Sequence, residues 1–279
     1  FVRNRNGCMI APHFTVLSTK TILITGSTDG IGLLTAQNLA AEGHTILLHG
    51  RSAEKLAAAA KKVGGTTETY TADLSRMADV QALAADILKN HDQLDVLINN
   101  AGVLKAPNTV TKDGYDLRFV VNTIAPYVLT RALLPIIAKD GRIVNLSSAA
   151  QAPVDVAALL GRKPIGDSAA YAQSKLAITI WTQELAKELP DGPAVIAVNP
   201  GSLLASKMVK EGYGVEGNDL SIGANILREA ALGASFANAT GKYFDNDSQR
   251  FAQPHPAAMD AGHVMSVMQG ITDAIAELS

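Results

Sequence analysis

The sequence predicts an α/β fold, a single doubly wound domain with a seven-stranded parallel sheet and helices on both faces. Three observations predict it. Short apolar, β-branched runs alternate with helical segments along most of the 279 residues. The first such run, Thr21-Ile-Leu-Ile-Thr25, leads straight into a glycine turn and then an apolar-periodic segment. No linker, internal repeat or low-complexity tract divides the chain, which is long enough for a substantial core.

Strands are expected near 21–26, 45–50, 67–72, 94–99, 142–147, 194–199 and 241–244, with helices near 31–42, 53–63, 76–90, 114–138, 168–189 and 219–238. Ser52 and Ser75 are of the residue type that caps helix N-termini, and they stand before the second and third helices. Asp140-Gly141 is expected to end the long fourth one. Residues 256–276 add a terminal helix with Val264, Met265, Met268, Ile271 and Ile275 at helical spacing, a stripe suited to core packing or a subunit contact. Right-handed crossovers wind such units into a sheet whose ligand crevice lies beyond the carboxyl ends of the strands.

The turn reads Gly26-Ser27-Thr28-Asp29-Gly30-Ile31-Gly32. Its three glycines let backbone N–H groups approach a pyrophosphate, and the helix starting near Ile31 points its positive end at that anion. Far downstream, Tyr171 and Lys175 are four residues apart, on one face of a helix. A free phenol titrates near ~10, and bringing it to about 7 takes roughly 4 kcal/mol. One cation about 4 Å away at an effective dielectric of ~20 supplies roughly that much. Alone, this spacing also occurs by chance on exposed helices; the glycine turn is what gives it meaning.

Together these residues resemble the short-chain dehydrogenase/reductase family, over about residues 20–250. The resemblance continues in Asn99-Asn100-Ala101-Gly102, in Ser148 at the end of Gly141-Arg-Ile-Val-Asn-Leu-Ser147-Ser148, in Asn122 and in Asn199-Pro200-Gly201. It implies a Rossmann-type domain binding a nicotinamide dinucleotide, with Ser148, Tyr171, Lys175 and Asn122 as the catalytic set. In that scheme Ser148 and Tyr171 serve the substrate oxygen, Lys175 serves the tyrosine and the cofactor ribose, and Asn122 holds a water that relays protons to Lys175. The competing role for Asn122 is a backbone brace in a helix kinked by Pro126. Ser147 and Ser174 rank below Ser148 in the family's register. By the same resemblance Gly26, Ser27, Thr28, Asp29, Gly30, Ile31, Gly32, Asn100, Ala101, Gly102, Pro200, Gly201, Tyr171 and Lys175 surround the dinucleotide, and Asp73 and Leu74 flank the adenine. Asp73 has a competing role as a cap for the turn before Ser75.

Cofactor choice is read at Gly50, where family members that prefer NAD carry an acid; here Arg51 follows, and a guanidinium fork suits a 2′-phosphate. NADP(H) is therefore expected, the alternative for Arg51 being a solvated side chain that opens the next helix. The expected activity is an NADP(H)-dependent oxidoreductase of the carbonyl reductase or alcohol dehydrogenase type. A non-catalytic NADP-binding sensor of the same fold is the alternative. Relatives of that kind usually lose the tyrosine or the lysine, and both are present here. A sugar-nucleotide enzyme would need a larger C-terminal domain.

The chain departs from the family pattern in two places. Ser148 and Tyr171 are separated by an insert, 149–170, with a short helical piece expected around 154–160, similar to the retinol dehydrogenase-like branch. Ala205 stands where many members have a threonine on the cofactor carboxamide, and Ser202 or Ser206 could replace it. Residues 202–217, with Leu203, Leu204, Met208, Val209 and Tyr213, are expected to be a substrate lid with an apolar inner face; the alternative is a surface helix packed on the core. The remaining organisation is an N-terminal extension, 1–19, in which Met9 is a candidate start, and a C-terminal helical extension, 251–279.

A formal charge of −2 and 18% charged residues offer no basic field for nucleic acid or an anionic membrane. The single cysteine, Cys8, precludes an internal disulfide and suits a reducing cytoplasm. No run of about 18 uniformly apolar residues is present, and none of the six histidines has metal-ligand spacing, so neither a membrane anchor nor a catalytic metal is expected. The expected partners are a small carbonyl or alcohol substrate and a second copy of the chain, in a dimer or tetramer paired through the long helices.

Overall fold

The computed structural model describes Val2–Arg3, Met9–Ile10, residues 18–205 and residues 217–279. The strands of the main sheet are β1 (Thr21–Ile24), β2 (Thr45–Gly50), β3 (Thr67–Thr71), β4 (Leu94–Asn99), β5 (Ile137–Leu146), β6 (Ala194–Asn199), β7 (Tyr243–Asp245) and β8 (Arg250–Ala252). Their order is 3-2-1-4-5-6-7-8. The first seven are parallel, as the sequence predicts, and β8 extends the sheet by an antiparallel hairpin with β7. Outside it, Val2–Arg3 pairs with Met9–Ile10. Most of 1–19 and residues 206–216 of the expected lid, with Ser206, Met208, Val209 and Tyr213, lie outside the described residues.

Strand alternation builds two cores. Leu23, Leu47, Leu97, Ile143 and Val195 point to one face, beneath α3 (Met77–Asn90), α4 (Leu117–Ile136) and α6 (Asp167–Glu188). Ile22, Ile24, Ile46, Leu48, Val96, Ile98, Val144, Leu146, Ile196 and Val198 point to the other, beneath α1 (Gly30–Ala41), α2 (Ala53–Val63) and α7 (Leu220–Leu232). Both faces of the central strands are therefore dry, and β1, β4 and β6 are buried over most of their length, whereas the edge strands β3 and β8 are largely exposed. On α6 the buried Trp181 meets Tyr127 of α4 edge-on, with ring centroids 5.5 Å apart, which fixes α6 against α4.

Helix α4 is not uniform. Its middle, Val120–Ile124, is a π turn, and Pro126 opens the α-helical part that follows. A proline at that point removes an amide that a normal turn would have used, and single π turns recur at functional sites. By length and mean hydropathy, 1.4, this helix is apolar enough to cross a membrane. Here it packs against α3 and α6, with 56% of its most apolar stretch buried inside the molecule.

Three local expectations are corrected. Ser52 does cap α2, accepting from the Lys55 amide, but Ser75 does not cap α3. The Asp73 side chain instead accepts from the Ser75 amide, and Asp79 accepts from the Asp73 amide, so two carboxylates take over the turn. Asp140-Gly141 does not end α4, which stops at Ile136; β5 has already begun at Ile137. Residues 138–141 bulge opposite Asp95, and a Cβ at Gly141 would lie 2.5 Å from the Asp95 carbonyl oxygen, so close strand approach explains the glycine. The C-terminal helix α8 (Ala261–Leu278) buries Val267, Gly270, Ile271 and Ala274 and leaves Met265 exposed. Val264, Met268, Ile271 and Ile275 of the expected stripe do pack on the core, so the correction is confined to Met265, and Gly270 lies where the helix approaches Val156 closely.

Replacing Trp181 by alanine should cost about 3–5 kcal/mol, read from urea unfolding, because a large cavity opens between α4 and α6. A loss below about 1 kcal/mol would mean that this contact does not hold the two helices together.

Candidate functional site

Parallel strands bring their carboxyl ends to one edge, and nearly all the predicted residues lie there. At the end of β1, Gly26 and Gly30 have φ of 65° and 57°, a conformation that favours glycine. A Cβ at Gly32 would fall 2.5 Å from the Gly26 carbonyl oxygen and 2.4 Å from Asn100 Nδ2, so the turn and the helix could not close on any larger residue. The Asp29 side chain accepts from the Gly30 amide at 2.7 Å, and the first-turn amides beyond it lack carbonyl partners within the helix. These amides and the positive end of α1 fit a pyrophosphate.

The turn is held from behind. Thr25 Oγ1 accepts from the amides of Asn100 and Ala101, each at 3.0 Å, and Asn100 Nδ2 donates to the carbonyls of Thr25 and Gly26. Asn99 Nδ2 donates to Asn145 Oδ1, and Asn145 Nδ2 to Thr182 Oγ1, carrying the bracing across the sheet into α6. His49, 2% exposed, was missed in the sequence. Its Nδ1 accepts from the Gly26 amide and its Nε2 faces the Ala72 carbonyl, so a neutral ring ties the glycine turn to the end of β3. Burial pushes its pKa down to about 4. A polar residue ending the apolar run Ile46-Leu47-Leu48 was the available signal.

At the end of β2, Gly50 gives close room to Thr28; a Cβ would lie 2.6 Å from the Thr28 methyl. The adjacent Arg51 is exposed and makes no hydrogen bond or ion pair among the described residues. Asp73 and Leu74 follow β3, Leu74 buried and the Asp73 carboxylate taken by the turn as its competing reading anticipated. Pro200 and Gly201 follow β6; the Gly201 amide donates to Asn199 Oδ1, and the Ser202 hydroxyl and amide donate to Asp247. Ala205 is exposed.

The second group of residues meets at the end of β5. Lys175 is 3% exposed, and its ammonium donates to the Leu146 carbonyl at 2.7 Å and lies 5.6 Å from the centre of the Tyr171 ring. Burial lowers the lysine to about 8, which still leaves it mainly protonated at neutral pH. Ser148 stands two residues beyond Leu146, half-buried, its Oγ accepting from the Ala150 amide at 3.1 Å. Ser147 points the other way, bonded to Thr179 Oγ1 and the Lys175 carbonyl. Asn122, in the π turn, exchanges hydrogen bonds with both Val103 backbone groups and donates to Ser174 Oγ, which donates to the Tyr171 carbonyl. Its amide side chain is thus a brace for the helix carrying the tyrosine.

The insert lies beside this corner, bonded to α6 through the Ala152 and Asp155 amides. It contains the short helix α5 (Val156–Leu159), where the sequence places one. The Val154 amide donates to His263 Nε2, Arg162 pairs with Glu277 at 2.9 Å, and the Tyr115 hydroxyl donates to the same carboxylate. At its far end Arg118, 1% exposed, pairs with Asp116 at 2.6 Å and with Asp167 at 2.7 Å, fixing where α6 begins. Among the described residues no three His, Cys, Asp or Glu side chains converge on a metal position.

The buried lysine makes a pH prediction. Below its folded pKa of about 8 the burial penalty is complete; between there and the model-compound value of 10.5 the native state gives up its proton first and gains stability relative to the unfolded chain. The Lys175→Met variant should therefore exceed the parent in urea-unfolding stability most near pH 7, and its advantage should shrink by up to ~1.4 kcal/mol per pH unit toward pH ~10. A difference that does not vary with pH would place the ammonium in solvent.

The sequence profile of short chain dehydrogenases matches residues 20–213. Human retinol dehydrogenase 13 is 33% identical over 89% of this chain and 82% of its own length, and human polyprenol dehydrogenase is 32% identical over 72% and 66%. A solved structure from Mycobacterium paratuberculosis superposes with a TM-score of 0.77 at 27% identity, covering 91% of this chain and 92% of that one. The 3-ketoacyl-(acyl-carrier-protein) reductase of Brucella melitensis, complexed with NADH, gives 0.66 at 25% identity over 81% and 96%. The angucycline C-6 ketoreductase LanV, with bound NADP, gives 0.66 at 27% over 81% and 93%. On this agreement of profile, relatives and fold, the chain belongs to the short-chain dehydrogenase/reductase family, in its retinol dehydrogenase-like branch.

Proposed function

We propose that this protein is an NADP(H)-dependent oxidoreductase that interconverts an apolar alcohol and its carbonyl compound. The observation that carries the reading is the Lys175 ammonium, buried beside the Tyr171 ring at the sheet edge that also carries the glycine turn. Arg51 supports the phosphorylated cofactor, since its guanidinium is uncommitted and the adjacent position is glycine instead of an acid. The solved relatives hold NADH in one case and NADP in another, so the choice rests on this chain's own residues. Leu203, exposed beside the Pro200-Gly201 turn, and the alcohols after which the relatives are named support an apolar substrate of the retinoid or polyprenol kind.

The bound nicotinamide would supply or accept the hydride. In the reducing direction Tyr171 gives its proton to the substrate oxygen, and Ser148 donates a second hydrogen bond there, so negative charge does not accumulate. The serine hydroxyl is free to donate, because its bond to the Ala150 amide uses only a lone pair. Lys175 holds positive charge near the phenol in a site from which water is largely excluded, where that charge acts more strongly than it would in solvent. Asn122 and Ser174 place the turn of α6 that carries Tyr171.

Nicotinamide absorbance, followed with NADPH and NADH against long-chain and short polar aldehydes, tests the reading. The Tyr171→Phe variant should lose about 10²–10⁴-fold in kcat while retaining the cofactor. Undiminished turnover would remove Tyr171 as the acid. Arg51→Ala should weaken NADPH binding by roughly 10–100-fold and leave NADH binding unchanged. An unaltered preference would remove Arg51 from cofactor selection.

A further inference from the structure

We propose that Tyr243 and Gln151 are positioning residues that hold the backbone carbonyl of Ser148, and through it the direction of the serine hydroxyl. The inference rests on the assignment of Ser148 as a donor to the substrate oxygen. Tyr243, on β7 and 5% exposed, donates its hydroxyl to that carbonyl at 3.1 Å. Gln151, at the start of the insert, donates Nε2 to the same oxygen at 2.9 Å. Two donors fill both lone pairs, so the peptide plane after Ser148 is fixed from two sides.

The fixing matters because little else constrains this residue. Ser147 is tied to β6 through its amide and to α6 through its hydroxyl. Ser148 is half-buried, and among the described residues its side chain is bonded only to the Ala150 amide. A rotation of the peptide between residues 148 and 149 would carry the Ala150 amide away from Ser148 Oγ and release the serine rotamer, and a hydrogen-bond donor must be placed within about 0.5 Å to act on a transition state. Burial, with Asp245 and Asp247 nearby, raises the Tyr243 phenol well above its ordinary range, so it remains a donor at any working pH. Gln151 Oε1 accepts from the His255 amide at 2.9 Å, which links the same carbonyl to the segment leading into α8. Neither Tyr243 nor Gln151 reaches the reacting atoms in the mechanism above. Their effect is exerted through the serine.

The test is a double-mutant cycle on the full-length protein with Ser148→Ala, Tyr243→Phe and their combination, reading kcat, KM and NADPH dissociation constant. Tyr243→Phe should lower kcat by about three- to tenfold, the worth of one hydrogen bond, and leave KM and cofactor affinity within about twofold. In the Ser148→Ala background the same change should cost nothing further. An equal loss in both backgrounds, or no loss in the first, overturns the inference. Undiminished turnover in Ser148→Ala alone would instead overturn the role of the serine, a distinct result. Gln151→Leu provides a second cycle, with the same expected loss of effect once Ser148 is absent, should Tyr243→Phe fail to bind NADPH.

Discussion

A single ammonium inside the protein sets the terms for the rest of the site. Lys175 has exchanged water for the Leu146 carbonyl and the neighbouring Tyr171 ring. Such a burial is costly even for a hydrogen-bonded charge, and it persists here because rigid surroundings keep the amine from reaching water. Leu146 closes β5 in the middle of the sheet, and Lys175 lies on a helix locked by Trp181, Thr179 and Thr182. The rigidity of the two cores is thus what keeps a charge near a phenol at low dielectric. A looser helix would let the amine reach water and would lose the electrostatic effect.

The glycine turn follows the same logic with opposite means. Where the lysine needs bulk around it, the turn needs its absence, and Gly26, Gly30 and Gly32 leave space that Asn100, Thr25 and His49 then discipline. Charge enters the cleft at two places, as helix-end amides on one side and as a buried amine on the other. The carboxyl edge of a parallel sheet is where both can be reached by one extended ligand.

How far this was legible in the sequence depends on range. The sheet was readable because burial on both faces leaves strands such as Ile22–Ile24 and Val195–Val198 uninterrupted by polar residues. The Tyr171–Lys175 pair was readable because one helical turn joins them. Contacts between distant segments were not. Nothing near His49 announces that its ring meets Gly26, nothing near Gln151 announces His255, and β8 is a three-residue strand too short to show a period. Ser75 misled because a good capping type is only a preference: Asp73 and Asp79 organise the turn ahead of it, and α3 begins after Arg76 with no side-chain cap. Asp140-Gly141 misled because a glycine that relieves a bulge and one that ends a helix look alike in one dimension.

The insert is fastened to α8, which follows the other elements of the site in sequence. Glu277 holds both Arg162 and Tyr115, and Tyr115 is 162 positions away from it. During synthesis, therefore, the glycine turn and the tyrosine helix can form long before the insert has anything to rest against. A nascent molecule would have the glycine turn in place ahead of a supported insert, and only docking of α8 would complete that support.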